Sequence, residues 1–340
     1  MGADGKLLAW VGGEFFMRHM EAEGFRLVRL PLAGPAVLSW EDICARCGAA
    51  PDAVVYTDRS LPPPLLGLER FPALTAFYCI DSHIHGWYPL YAGAFDLCAV
   101  SLRDDVERFG AELAPGRVLW LPPFAEDRYR PRPAEKDFDL LFAGTVDPET
   151  TPLRHDFLRR LGRAFPGLAV RRGDFAELLP RARVALNIAE RGDLNFRVFE
   201  GLACGACLLT PRINNGQGEL FEDGVHFLTY AADDADAAAA KARALLADDA
   251  RREAYGRAGF ARVDAAHRPR HRAKALAELL RQGFDEGLPG LRLASPDRAR
   301  SADLRLLYLH WADTCGEAAL AARYLAEARR LAHPEQGGRR

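Results

Sequence analysis

The chain has 340 residues and a mass of 37.5 kDa, with 49% hydrophobic and 27% charged residues, a formal net charge of −2 and a pI of about 6.5. That length exceeds one ordinary core and predicts two domains, and the composition is that of a soluble globular protein. The near-neutral charge excludes a general affinity for nucleic acid or acidic membrane, and no apolar run reaches the ~20 residues of a bilayer span.

From the N-terminus, KLLAWV (6–11) reads as a strand ending in Gly12-Gly13, and EFFMRHMEAEG (14–24) as a helix closed by glycine. FRLVRL (25–30), DAVVYTD (52–58), LTAFYCID (74–81), FDLCAVS (95–101) and RVLWLP (117–122) read as further strands, with a helix in DDVERFGAEL. PPFAEDRYRPRPAEKD is rich in proline and charge, a linker by composition. The pattern then restarts. Strands are expected in DLLFAG (139–144), LAVRRG (168–173), VALNIAE (184–190), ACLLT (206–210) and HFLTY (226–230). Helices are expected at 153–165, 175–182, 194–203, 234–248, 250–265 and 271–284, with two more between 297 and 332. Alternating strands and helices argue for parallel, doubly wound sheets. The expected layout is an N-terminal Rossmann-like domain at 1–122, a linker at 123–137, a second Rossmann-like domain at 138–285 and a helical hairpin with tail at 286–340.

The seven cysteines are an odd number spread along the chain, which suits a reducing cytoplasm, and MGADGKLLAWVGG lacks the features of a secretory signal. Two CxxC pairs, Cys44/Cys47 and Cys204/Cys207, are read as buried small hydrophobes rather than zinc ligands or a redox pair. Lysine occurs only at 6, 136, 241 and 274, so the abundance of arginine is compositional and scattered arginines carry little information.

Position is more telling. In open parallel sheets ligands bind beyond the carboxyl ends of the strands. Those ends carry Gly12-Gly13, Asp58, Asp81 with His83 and His85, Gly144-Thr145, Asn187 with Glu190, and Asn214-Asn215-Gly216. In RGDLNFRVFEGLACGACLLTP (191–211), Asp193, Arg197 and Glu200 fall at i, i+4 and i+7, on one face of the expected helix. A helix N-terminus with Arg197 suits phosphate, Glu200 suits the cis-diol of a ribose, and Asp193 suits sugar hydroxyls. Together the row suits a nucleotide sugar. A solvated salt-bridge ladder explains the same spacing equally well. Gly12-Gly13 offers either a close backbone approach to ligand or a tight strand-to-helix turn. His83 and His85 are either structural or face substrate, and Asp81 either caps a turn or meets the acceptor.

The stretch LNIAERGDLNFRVFEGLACGACLLTPRINNGQGELFEDGVHFLTY resembles the donor-binding half of retaining GT-B-type glycosyltransferases, nearest the spore-maturation-like branch of the group 1 transferases. Asp193 and Glu200 occupy that family's paired acidic positions, although the first is more often Glu. NNGQGELFEDG resembles the loop that meets donor phosphates or sugar, with Glu219 at its acidic position. DSHIHGWYPLYAGAFD and LPPFAEDRYRP resemble first-domain and crossover segments. The resemblance implies two Rossmann-like α/β domains facing across a cleft, with added C-terminal helices. It implies transfer of a sugar from a nucleoside diphosphate to a glycan, protein or small-molecule acceptor, with anomeric retention and with neither metal nor other cofactor.

On that resemblance Asp193, Arg197, His83 and His85 are expected at the reacting centre. Glu200, Gly144, Thr145, Asn187, Asn214, Asn215, Gly216, Gln217, Gly218 and Glu219 are expected around the donor, and Gly12, Gly13 and Asp81 on the acceptor side. The C-terminal helices are expected either to pad the fold or to contact another protein. A nucleotide-sugar epimerase and a non-catalytic nucleotide-sugar-binding protein are the rival readings.

Overall fold

Six strands form one wholly parallel sheet: β1 (Leu7–Gly12), β2 (Arg26–Leu30), β3 (Ala53–Thr57), β4 (Leu74–Cys79), β5 (Leu97–Val100) and β6 (Val118–Trp120). Their order is β2-β1-β3-β4-β5-β6, with Leu8 opposite both Leu27 and Ala53. β1, β3, β4 and β5 are buried along their whole length, as strands covered on both faces must be. A second parallel sheet comprises β7 (Phe138–Ala143), β8 (Leu168–Arg171), β9 (Ala182–Leu186), β10 (Leu208–Pro211) and β11 (Leu228–Tyr230), in the order β11-β10-β9-β7-β8. The strand order reverses between β1 and β3 in the first sheet and between β7 and β9 in the second. Such reversals open a crevice at the carboxyl edge. This computed structural model describes residues 5–294 and 298–332.

The first sheet belongs to a unit made of Met1–Leu121 and Ala273–Arg340, the second to a unit made of Pro122–Arg272. This differs from the expected division, which closed the second domain at 285 and set 286–340 apart. An alanine-rich amphipathic pattern does not say which sheet a helix covers; packing does. On the helix Pro269–Asp285, a Cβ at Gly283 would stand 2.9 Å from Leu97 and 3.0 Å from Leu74, so this face lies directly on β4 and β5. The helices Arg298–Thr314 and Ala318–Ala332 form the expected hairpin, and their Leu304, Tyr308, Leu320 and Tyr324 join the first unit's core. Tyr324 Oη donates to Pro63 O at 2.8 Å, and Arg323 to Val37 O at 2.7 Å. One face of the hairpin is thus internal packing. Its expected first residue, 297, and the tail beyond 332 lie outside the described residues.

Local details also depart from expectation. The helix expected at 14–24 shrinks to a single turn of 3-10 helix, Met17–Met20. Phe15 takes a positive φ of 42°, and Phe16 is drawn under Trp10 with ring centroids 5.5 Å apart. A helix at Trp40–Cys47 was not expected. Ser39 caps it by accepting from Asp42 N at 3.3 Å while Asp42 accepts from Ser39 N at 2.9 Å, and Gly48 at φ 70° closes it. Cys44 and Cys47 sit half-buried on this helix, whereas Cys204 and Cys207 are buried as expected. Among the described residues no helix is long and apolar enough to cross a membrane.

Candidate functional site

In the second unit the helix Phe196–Ala203 runs back beneath the sheet from the ends of β7 and β9. Arg197, in its first turn, donates from Nε to Ala143 O at 2.9 Å and from Nη1 to Asn187 Oδ1 at 3.3 Å. Its guanidinium lies 4.9 Å from the Phe142 ring centroid. Gly144 makes room for it, since a Cβ there would be 2.9 Å from Arg197 Nη2. Burial, reinforced by the neighbouring Arg154 charge, pushes Arg197 down to about 10, which leaves it cationic at neutral pH. Asn187 is fully buried. It also donates to Thr210 Oγ1 at 3.1 Å, and its carbonyl accepts from Tyr230 Oη at 2.8 Å.

The expected three-residue row does not form on one helix. Gly192 at φ 72° turns the chain, Leu194 is buried, and Asn195 is the extended N-cap residue, its Nδ2 reaching back to Ile188 O at 3.0 Å. Asp193 therefore lies in the loop, two residues before the N-cap, and the salt-bridge ladder reading fails with the row. Arg197 and Glu200, at i and i+3, do share a face. Glu200 is half-buried. Burial raises its carboxyl above the usual range, against the opposing pull of Tyr129, Arg197 and Arg128.

Arg154 was missed in the sequence, where it passed as one arginine among many. It stands in the first turn of the helix Pro152–Ala164. Glu190 accepts from its backbone N–H at 2.8 Å and from Nη2 at 3.0 Å, while Nη1 donates to Thr145 O at 2.8 Å. Its guanidinium is 5.8 Å from the same Phe142 ring that Arg197 covers. Two guanidinium groups thus meet at the end of β7 beside Gly144 and Thr145, and Thr145 contributes its carbonyl rather than its exposed side chain. Only Glu190, one sheet position away, hinted at a cation there.

The loop after β10 is organised by Gln217, which accepts from Ile213 N at 3.1 Å and donates to Pro211 O at 3.0 Å. Asn215, at φ 53°, donates to Gly192 O at 2.8 Å and so ties this loop to the one holding Asp193. Gly216 takes φ 81°, and Asn214, Gly218 and Glu219 are exposed. Gln217 is buried, and its side chain is spent on these two backbone contacts.

In the first unit Gly12 has φ 102°, and a Cβ would fall 2.2 Å from Thr57 O, so only glycine fits. Gly13 O accepts from Trp10 Nε1 and Thr57 Oγ1, both at 2.6 Å. These bonds support the tight-turn alternative. Asp58, buried after β3, accepts from Ser60 N at 2.7 Å, Asp81 N at 3.0 Å and Tyr88 Oη at 2.5 Å. Burial raises its pKa in spite of these donors. Asp81 accepts from Ser60 Oγ at 2.8 Å. His83 and His85 lie in the following turn, where His85 meets Tyr88 edge-on at 5.0 Å. His83 Nδ1 and His85 Nε2 are buried without a protein partner.

Residues 137–278 match the family model described as glycosyl transferase-like. Among solved structures, sucrose-phosphate synthase from Thermosynechococcus elongatus is 13% identical, with 83% of this chain and 100% of that chain covered and a TM-score of 0.57. Anabaena HepE, solved in complex with UDP-glucose, is 9% identical with 81% and 99% covered and a TM-score of 0.60. A glycosyltransferase from Rickettsia africae gives 9%, 81%, 97% and 0.56. No curated protein matches the sequence. The chain has the GT-B fold, as the resemblance implied, and it is the segment 137–278 that is similar to the glycosyl transferase-like family.

Proposed function

We propose that the chain is a glycosyltransferase that takes a sugar from a nucleoside diphosphate donor. The observation that carries this reading is the pair of guanidinium groups, Arg154 and Arg197, at the strand reversal of the second sheet, with Glu200 one helical turn from Arg197. Two fixed cations suit a diphosphate, and a half-buried carboxylate has acceptor capacity for a ribose cis-diol. A relative by fold, HepE, has been solved with UDP-glucose, which makes UDP-sugars the first donors to try.

In this reading Arg154 and Arg197 stabilise the charge that develops on the departing diphosphate. Cations, not a bridging metal, supply that stabilisation, and metal-independent transfer is proposed on that ground. Asp193, on the loop tied to Asn215, is assigned to hydroxyls of the donor sugar. The backbone of the Asn214–Gly218 loop is assigned to the phosphates, and Glu219 to the donor as well. His83, with its unpartnered ring nitrogen, and His85 are assigned to substrate contacts, and Asp81 to the acceptor side. Retention follows if the leaving diphosphate takes the acceptor proton on the face it vacates.

Calorimetry with UDP, GDP and ADP, followed by incubation with the sugar form of the nucleotide that binds, tests the reading. Binding followed by hydrolysis or transfer, undiminished by EDTA and giving an α-linked product from an α-linked donor by NMR, supports every part of it. Binding without turnover would make the chain a nucleotide-sugar-binding protein, and an isomerised sugar without acceptor would make it an epimerase.

A further inference from the structure

We propose that a cavity at the carboxyl edge of the second sheet is a subsite for the transferred sugar. It selects a hydroxyl-poor edge, one bearing an N-acyl group or a 6-deoxy methyl, over the fully hydroxylated edge of a plain hexose. This rests on the donor reading given above.

The cavity, about 230 Å³, lies over the ends of β9, β10 and β11. Its walls include Phe157, Ile188, Pro211 and Tyr230, all buried. Phe157 and Tyr230 stack with ring centroids 5.6 Å apart and planes at 19°. The Tyr230 hydroxyl donates to Asn187 O at 2.8 Å, so its proton is engaged in the sheet. Leu153 also lines the cavity and is 62% exposed, apolar surface that a ligand would cover favourably. The two carboxylates in the lining are already paired, Glu190 with Arg154 at 3.0 Å and Asp233 with Arg160. An uncharged, apolar group is therefore what the lining suits. A hydroxyl set against Phe157, Ile188 and Pro211 would leave water without a partner, whereas a methyl there is stabilised by burial.

Size and position tie the cavity to the donor. Drug-sized ligands fill roughly 300–1,000 Å³, whereas an apolar cavity of ~150 Å³ already takes benzene. A whole nucleotide sugar is thus too large, and one edge of a sugar with its substituent is of the right size. Glu190 is a shared wall: it lines the cavity and also holds Arg154, the cation assigned to the diphosphate. The sugar is bonded directly to that diphosphate. The chain runs from Glu190 into the loop carrying Asp193, assigned to sugar hydroxyls, and from Pro211 into the Asn214–Gly218 loop. One edge of the sugar accordingly meets Asp193 and another the cavity.

The test compares, by calorimetry on the full chain, the glucose, 6-deoxyglucose and N-acetylglucosamine forms of whichever of UDP, GDP and ADP binds. At least one substituted form is expected to bind about tenfold more tightly than the glucose form, the combined effect of a buried methyl and a hydroxyl spared desolvation. A preference for 6-deoxyglucose alone places the C6 edge in the cavity, and one for N-acetylglucosamine alone places the C2 edge there. Ala189→Leu adds bulk to the lining and should bring the ratio to within about twofold of unity. Leu153→Ser, at an exposed position that leaves the core intact, should lower it about threefold. Weaker binding of every form with the ratio kept in both variants would show that the cavity serves packing alone and would overturn the proposal. If the unmodified protein binds the glucose form as tightly as both substituted forms, this inference falls and the donor reading stands. If none of the three diphosphates binds, both fall.

Discussion

Glu190 grips Arg154 twice, through the backbone N–H at 2.8 Å and through the guanidinium at 3.0 Å. The carboxylate thereby anchors the start of the helix Pro152–Ala164 and fixes the direction of its first-turn cation. The side chains are 17% and 20% exposed, so the pair is shielded but not sealed, and its Nη1 is held separately by Thr145 O.

Arg154→Met should therefore weaken nucleoside diphosphate binding by about tenfold or more, the worth of a charge-assisted contact. Binding of the bare nucleoside should be unchanged. Calorimetry with a nucleoside and its diphosphate separates the two, and an equal loss for both ligands would place Arg154 away from the phosphates.

Gly144→Ala offers a more delicate test. The new methyl would stand 2.9 Å from Arg197 Nη2 and 3.1 Å from the Phe142 ring. The expected cost is ~1–3 kcal/mol of stability from overpacking, with weakened diphosphate binding as Arg197 is displaced. Unaltered binding in a destabilised variant would show that Arg197 serves the fold alone.

Glu200 predicts a pH dependence. Burial raises its carboxyl pKa, so the carboxylate is lost at a higher pH than an ordinary glutamate would require. Donor affinity should fall as pH drops through that raised value, and Glu200→Gln should flatten the profile. An acid fall of equal size in both proteins would assign it to another group.

How far the sequence revealed this site follows from which contacts are local. The apolar runs that became β1, β3 and β4 were plain because burial on both faces demands unbroken hydrophobicity. Gly144 and Asn187 stood out because strand ends are predictable, and Arg197 and Glu200 because helical spacing puts them on one face. Asp193 was aligned with the helix face at its cap, two residues too close, because periodicity does not register the turn at Gly192 or the extended Asn195. Arg154 was invisible because its partner Glu190 is 36 residues away. Tyr129 sat in a segment whose prolines and charges signal a linker, and contacts from distant residues, such as the buried Arg268 donating to the Tyr129 carbonyl, show that it is packed.

In the first unit, Glu327 should make stability fall with rising pH. Burial pushes its pKa up to about 7, opposed by Arg70 and reinforced by Glu69 and Glu41, and Arg330 also hydrogen-bonds it, at 3.1 Å. The folded form binds this proton more tightly than the unfolded chain. Its contribution is present below the ordinary glutamate range and lost as pH rises through about 7. Melting temperatures should drop by a few degrees between about pH 5 and pH 8, and Glu327→Gln should lessen the drop. An undiminished drop in the variant would remove Glu327 from the account.

His267 predicts the opposite slope in the second unit. Arg272 Nη2 lies 2.9 Å from its Nδ1. An arginine can only donate, so Nδ1 accepts and the ring is neutral with its proton on Nε2. Burial first, then the charges of Arg272 and Arg262, push its pKa down to about 2. The stability tied to the neutral ring is present above the ordinary histidine value and is lost progressively as pH falls below it. His267→Asn keeps an acceptor for Arg272 but forfeits the ring contacts with Phe199 at 5.5 Å and Phe221 at 5.1 Å. The variant should thus be less stable than the parent at pH 8, by ~1–2 kcal/mol, yet lose less on acidification. Denaturant melts of the full chain between about pH 8 and pH 4.5 should show the two stability curves converging. Parallel curves would mean that protonation of His267 does not govern acid unfolding.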